Sequence, residues 1–251
     1  MSKNCITDIE YKESLWYGYP CKEFVFKGRA ARLVSPNNSP CEGNKWLLKT
    51  EYFGAFPSFE LAMLERGYHV AYVENKTRWH HPSDDEIKND FCQFLTDEFS
   101  LNERCVPVGM SCGGLQAVYF AAAYPNRVAA LYIDAPVLNF LSCPAGIGEA
   151  GDSMLDEFIG ATGITVTQLI NYRNHPIDHA ETLLKNNIPI FLVAGDSDNV
   201  VPFEENGRIL YDFYKNNSGS IELILKPGCA HHPHGVEDPA QLIEFTERNY
   251  K

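Results

Sequence analysis

Three short segments constrain this chain more than anything else in it: RCVPVGM (104–110), VAALYID (128–134) and IPIFLVAG (188–195). Each is too apolar to face water on either side, as strands at the centre of a parallel sheet must be. Segments of helical pattern run between and around them. PSFELAMLERG (57–67) ends at a glycine, and PSDDEIKNDFCQFLTDEF (82–99) opens on a Ser83-to-Glu86 capping box. CGGLQAVYFAAAYP (112–125) and FEENGRILYDFYKN (203–216) are further helices. The last helix is expected to start at Asp238-Pro239, with Gln241 completing a second box. KWLLKT (45–50), YHVAYVE (68–74) and SIELILK (220–226) read as strands.

This alternation predicts an α/β protein: a mostly parallel sheet with helices on both faces. The start differs. Residues 9–35, where CKEFVFKGRAARLVSP alternates and turns at Lys27-Gly28, read as antiparallel strands. One connection is too long to be plain. Residues 136–187 hold PVLNFLSCPAGIGEAGDSMLDEF before the helical pattern resumes, which predicts a small cap inserted over the carboxyl ends of the strands. No repeat, low-complexity tract or linker interrupts the chain, so a single domain over residues 1–251 is expected.

Ligands of open α/β sheets bind at the carboxyl ends of the strands, and three sequence features fall there together. The first is GMSCGG (109–114), in which Gly109 and Gly113 flank Ser111. G-x-S-x-G is a common arrangement of common residues. Its weight comes from its position between a buried strand and a helix, where a strained turn can expose a serine nucleophile. The N–H of Cys112 then points from a helix start at a developing oxyanion. A second such donor should come from the loop after KWLLKT, which makes the backbone N–H of Glu51 or of Tyr52 the candidate. The Glu51 carboxylate itself would repel an oxyanion, so it is expected to turn away, towards a substrate hydroxyl, a basic group or a loop amide.

The second feature is GDSDNVVP (195–202), after the strand IPIFLVA. A serine nucleophile needs a histidine base, and the base needs a carboxylate to hold its tautomer. Asp198 lies deep enough in the loop to reach a neighbouring loop. Asp196, closer to the strand, suits a turn cap, and Asp134 in YIDAPV is a third candidate. The third feature is KPGCAHHPHG (226–235), directly after the last strand. His231 is favoured as the base, three residues after Gly228. His232 is the alternative, and His234 suits a rim or packing position. No acidic or cysteine residue sits near these histidines at a metal-like spacing, so no metal is expected. His80 and His81, after YHVAYVE, are expected to line the mouth of the site.

The order serine, aspartate, histidine on these elements resembles the α/β-hydrolase superfamily from about Trp46 onwards. More narrowly, TEYFGAFP, DAPV and HHPHG followed by EDP are similar to bacterial esterase-like hydrolases of the prolyl-oligopeptidase-like or carbohydrate-associated kind. The resemblance implies an α/β-hydrolase fold, a Ser111, Asp198 and His231 triad, and no cofactor. Cys112 departs from the pattern, since relatives often carry a basic residue after the nucleophile.

These features point to a serine hydrolase acting through an acyl-enzyme on a small or carbohydrate-linked carboxylic ester. A peptidase-like hydrolase and a non-catalytic ligand-binding member of the fold are the alternatives. A dehalogenase would need a carboxylate where Ser111 stands. With 33 acidic against 21 basic residues and a net charge of −12, nucleic acid and anionic membrane are not expected as partners. No run of 18 apolar residues exists to span a bilayer. The amino terminus shows no apolar signal core with a small-residue cleavage site, so a cytoplasmic location is expected unless a signal segment was removed. The eight cysteines form no C-x-x-C pair and are read as free thiols.

Overall fold

The computed structural model describes residues 9–151 and 154–250; Cys5 and the amino-terminal reading over residues 1–8 fall outside them. Among the described residues, nine strands form one sheet: β1 (Lys12–Trp16), β2 (Tyr19–Phe26), β3 (Arg29–Val34), β4 (Trp46–Lys49), β5 (His69–Val73), β6 (Val106–Met110), β7 (Leu131–Asp134), β8 (Ile190–Gly195) and β9 (Ile221–Lys226). Their order is β1-β2-β3-β5-β4-β6-β7-β8-β9. The β1, β2, β3 and β5 pairings are antiparallel, with the β2–β3 turn at Lys27-Gly28. From β5 to β9 every pairing is parallel.

The apolar runs of the central strands follow from their two buried faces. Side chains alternate along a strand, and here both sets are covered. Leu131, Ile133, Ile190 and Leu192 pack on one side with Trp46 and Leu48. Tyr132, Phe191, Val193, Val106 and Val108 pack on the other with Leu47. The first face is covered by α2 (Pro82–Phe99), α3 (Cys112–Ala123), α6 (Ala180–Lys185) and α7 (Gly207–Asn216), through residues such as Phe91, Phe120, Leu183 and Leu210. The second is covered by α1 (Ser58–Glu65) and α8 (Ala240–Asn249), which bring Phe59, Met63, Leu242 and Phe245. Each such side chain, fully buried, contributes about 1.5–3 kcal/mol over leaving it in water.

A third apolar cluster lies around the start of α3. Cys112, Leu115 and Tyr119 pack there with Trp79, Phe140 and Phe158. It anchors part of the long connection between β7 and β8, including α4 (Leu155–Thr162) and α5 (Val166–Ile170). The expected insertion at 136–187 is therefore divided in its packing. Its earlier part gathers around the first turn of α3, whereas α6 returns to the helix layer on the sheet, where Ala180 and Leu183 are buried.

Two helix starts differ from the sequence expectation. α2 is capped by His81 rather than Ser83. The Ser83 N–H donates to His81 Nδ1 at 3.2 Å, and the Asp84 carboxylate accepts the His81 N–H at 3.0 Å. Pro82 occupies the first helical position, so the cap falls on the residue before it. At α8 the box with Gln241 does not form, although Asp238 Oδ1 accepts the Ala240 N–H at 3.0 Å. The seven described cysteines are unpaired. No helix among the described residues is long and apolar enough to cross a membrane.

Candidate active site

Ser111 sits between the end of β6 and the first residue of α3 with φ 54° and ψ −120°. A positive φ is costly for a residue with a Cβ and persists only where surroundings over-determine it. They do so here. The Ser111 N–H donates to the Asp134 carbonyl at 2.9 Å, and its own carbonyl accepts from Gly114 at 2.9 Å and Val137 at 3.1 Å. Thr50 Oγ1, just after β4, donates to the Gly113 carbonyl at 2.7 Å. Two glycines of this turn, Gly109 and Gly114, have steric causes. A Cβ on Gly109 would fall onto the Gly113 carbonyl, and one on Gly114 onto Pro136.

The loops after β8 and β9 bring two further groups to this turn. His231 Nε2 faces Ser111 Oγ at 3.1 Å, and His231 Nδ1 meets Asp198 Oδ2 at 2.7 Å. The other Asp198 oxygen accepts the N–H groups of Val200 and Val201, both at 2.9 Å. Burial alone would raise the Asp198 carboxyl, but the hydrogen bonds from His231 and from these two amides outweigh it and hold its pKa below the usual range. Because a carboxylate only accepts, Nδ1 of His231 carries the proton when the ring is neutral, leaving the Nε2 lone pair towards Ser111. Such a row can take a proton from the serine hydroxyl as the oxygen attacks an electrophile.

The competing residues have other partners. Asp196 Oδ1 accepts from Ser197 Oγ at 2.8 Å and from the Gly228 N–H at 2.7 Å, so it caps the turn as expected. Asp134, fully buried at the end of β7, accepts from the Gly235 N–H and faces His234 Nδ1 at 3.3 Å. It serves His234, not His231. His232 is exposed and stacks on Phe56, with ring centroids 5.7 Å apart. Burial, then repulsion from His234 and His231, lowers its pKa.

Of the amides proposed as oxyanion donors, that of Cys112 opens α3, so it has no carbonyl one turn earlier to bond. The Tyr52 N–H is turned onto Glu51 Oε1 at 3.3 Å. The Glu51 N–H lies beside the turn, its nitrogen 3.6 Å from where a Cβ on Gly113 would sit. The Glu51 carboxylate also accepts from Asn75 Nδ2 at 2.8 Å, which makes it a partner for loop amides. The Cys112 side chain is buried in the third cluster, and burial pushes its thiol up to about 12. It stays protonated beside Ser111 and offers no contact like that of a basic side chain.

Ser111 opens into a cavity of about 390 Å³. Tyr52, Phe56, Met110, Met154 and Val200 form its apolar wall, and His231, His232 and His234 form one side. Among the described residues, Arg78 is the one lysine or arginine in this lining. Its Nε donates to Glu157 Oε1 at 2.6 Å, its Nη2 reaches the other Glu157 oxygen, and Nη1 lies 3.4 Å from the Tyr52 hydroxyl. Gln116, which accepts from buried Lys88 at 3.0 Å, donates to the Thr77 carbonyl at 2.9 Å and so fixes this loop.

Arg78 was missed in the sequence, although TRWHHP follows a strand and such loops line the sites of these sheets. His80 and His81 do not line the cavity. His80 stacks on Tyr119 at 3.9 Å and meets Asp85 Oδ2 at 2.7 Å, and His81 is spent on the α2 cap. The loop turns Arg78 towards the site and the histidines towards α2.

The model of the prolyl oligopeptidase family matches residues 84–251. Among solved structures, the chain is similar to the Pyrococcus horikoshii acylaminoacyl peptidase, with a TM-score of 0.71 and 16% identity over 98% of this chain and 42% of that one. It thus spans about two fifths of that peptidase's length. It is also similar to acetyl xylan esterase 1 from a Thermoanaerobacterium species (TM-score 0.66, 15% identity, 97% of this chain and 88% of that one). A third likeness is to an S-formylglutathione hydrolase from Agrobacterium tumefaciens (TM-score 0.65, 13% identity, 97% of this chain and all of that one). These likenesses show the α/β-hydrolase fold.

Proposed function

The chain belongs to the prolyl oligopeptidase family, and from that premise we propose that it is a serine hydrolase whose preferred substrate is a small carboxylic ester. The observation that carries this is the hydrogen-bonded row from Ser111 Oγ through His231 to Asp198. His231 Nε2 takes the hydroxyl proton while Oγ attacks the substrate carbonyl. The imidazolium so formed is stabilised by Asp198, whose lowered pKa keeps it ionised. Negative charge on the carbonyl oxygen is met by the N–H of Cys112, at the positive end of α3, and by that of Glu51. His231 then gives its proton to the leaving alcohol, and water activated by the same ring releases the acyl group from Ser111.

The size and chemistry of the cavity support an ester. About 390 Å³ holds a small acyl group and alcohol together, within a wall that is apolar apart from Arg78 and the histidines. A carbohydrate-linked ester fits the same reading, its sugar lying at the open mouth. The family match favours a second reading, hydrolysis of a peptide bond by the same row of residues.

The deciding measurement is the intact mass of the protein after treatment with a fluorophosphonate, beside Ser111→Ala. One adduct on the wild type and none on the variant is the expected result. An unlabelled wild type would sink the hydrolase reading in favour of a ligand-binding role. A panel of aryl esters and acyl-peptide amides then separates the two substrate classes; turnover of amides at rates equal to esters would overturn the ester preference.

A further inference from the structure

His234 has no part in the chemistry just proposed, yet it is buried and backed by a carboxylate as His231 is. The rings of His231, His232 and His234 form a triangle with centroids 4.8–4.9 Å apart, each close to perpendicular to the others at 67–86°. One nitrogen of each lies within 4.8 Å of the other two. We propose that these three histidines form a binding site for a divalent transition-metal ion such as Zn²⁺, which switches the enzyme off by occupying the nitrogen that Ser111 needs.

A metal-bound histidine characteristically donates its other ring N–H to a carboxylate, which fixes the tautomer and raises its basicity. Both buried rings have that partner: Nδ1 of His231 meets Asp198 at 2.7 Å, and Nδ1 of His234 faces Asp134 at 3.3 Å. Their Nε2 atoms are left as the ligands. The acids come from the end of β7 and from the loop after β8, far from the histidines in sequence. In a tetrahedral site with Zn–N bonds of about 2.0–2.1 Å, ligand nitrogens stand roughly 3.3 Å apart. The three rings must draw closer to reach that spacing, and His232 is the exposed one. The fourth position faces the cavity, open to water or Ser111 Oγ. The net charge of −12 favours the approach of a cation.

Binding at His231 Nε2 leaves no lone pair to take the Ser111 proton, so the switch rests on the serine hydrolase reading, whereas the site itself does not. Calorimetric titration of Ser111→Ala with ZnCl₂ tests the site without any activity; one ion per chain is expected, with affinity at least tenfold lower when His232→Ala or His234→Ala is added. Absence of such binding, or binding insensitive to both changes, as thiol ligation at Cys229 would give, overturns the site. In parallel, the rate of fluorophosphonate labelling of the otherwise native enzyme is followed with Zn²⁺ and after EDTA. Labelling slowed by stoichiometric Zn²⁺, restored by EDTA, and requiring at least tenfold more Zn²⁺ in His232→Ala supports the switch. Normal labelling of a Zn²⁺-loaded chain overturns the switch. Failure to label without metal is a failure of the hydrolase reading, and the calorimetry still decides the site.

Discussion

Asp198 and His231 come from loops after adjacent strands, and one carboxylate oxygen receives the imidazole at 2.7 Å while the other is held by two backbone amides. The carboxylate is thereby fixed before the base is. Asp198→Asn keeps an oxygen for Val200 and Val201 but presents an amide where the ring N–H must donate, favouring the wrong tautomer. A loss of about 10⁴-fold in kcat on an aryl ester is expected, with little change in thermal stability. A loss under tenfold would remove Asp198 from the proposed triad.

Gly109 and Gly113 flank the serine symmetrically in sequence but not in space. A side chain at 109 meets the backbone of the turn itself, whereas one at 113 lies 3.2 Å from the Glu51 Cβ, a contact that a small shift relieves. Gly109→Ala should destabilise by about 3 kcal/mol or more, and Gly113→Ala by nearer 1 kcal/mol. Urea denaturation of the two variants gives the comparison, and equal costs would contradict it.

Lys49 and Glu60 form an ion pair with both side chains fully buried, and Lys49 Nζ also donates to the Ala55 carbonyl at 3.3 Å. Removing one partner strands the other charge in the core. Lys49→Met is expected to cost about 3–5 kcal/mol, and adding Glu60→Leu to recover most of it. Chemical denaturation of the single and double variants measures both; a double variant less stable than the single would show that the pair is not the cause.

His69 is buried on β5 with Nδ1 lacking a hydrogen-bond partner among the described residues, and burial lowers its pKa to about 4. The unfolded chain binds that proton near pH 6.5 and the folded chain only near 4, so folding stability rises with pH across this window. The stability is fully present above pH 6.5 and is lost as pH falls towards 4, at up to about 1.4 kcal/mol per pH unit for this group. His175, His179 and His232 shift in the same direction and add to the slope. His69→Leu should flatten the dependence of urea stability on pH between 4 and 6.5; an unchanged slope would refute the assignment.

Arg78 is held by Glu157, whose carboxyl is kept below its usual range by the Arg78 hydrogen bonds despite some burial. Glu157→Gln removes the charge that neutralises the guanidinium at the cavity wall. The KM of an ester carrying a carboxylate on its acyl group should then fall by up to about fivefold, as a half-exposed pair worth under ~1 kcal/mol allows. The KM of a neutral ester should not change, and a parallel fall in both would place the effect elsewhere.

The order of strands and helices was legible because its causes are local. Doubly buried strands need unbroken apolar runs, and a strand that turns at once into a helix over Ser111 needs small neighbours. The positions of Ser111, Asp198 and His231 followed from the same logic, since each stands in a loop at the carboxyl end of a strand. Two helix caps were misplaced, because Pro82 moves the cap back to His81 and Asp238 bonds Ala240 without help from Gln241.

What only the tertiary structure decided is the pairing. His231 and His234 stand three residues apart on one loop, and Asp134 and Asp198 follow neighbouring strands, so the sequence allows either match. The register of β7 beside β8 and the path of the loop after β9 give Asp198 to His231 and Asp134 to His234. Arg78 entered the cavity for a similar reason, through a loop fixed by Gln116 from a distant helix. Periodicity and turn chemistry are written within a few residues of chain, but a hydrogen bond between loops depends on distances that only the packed sheet sets.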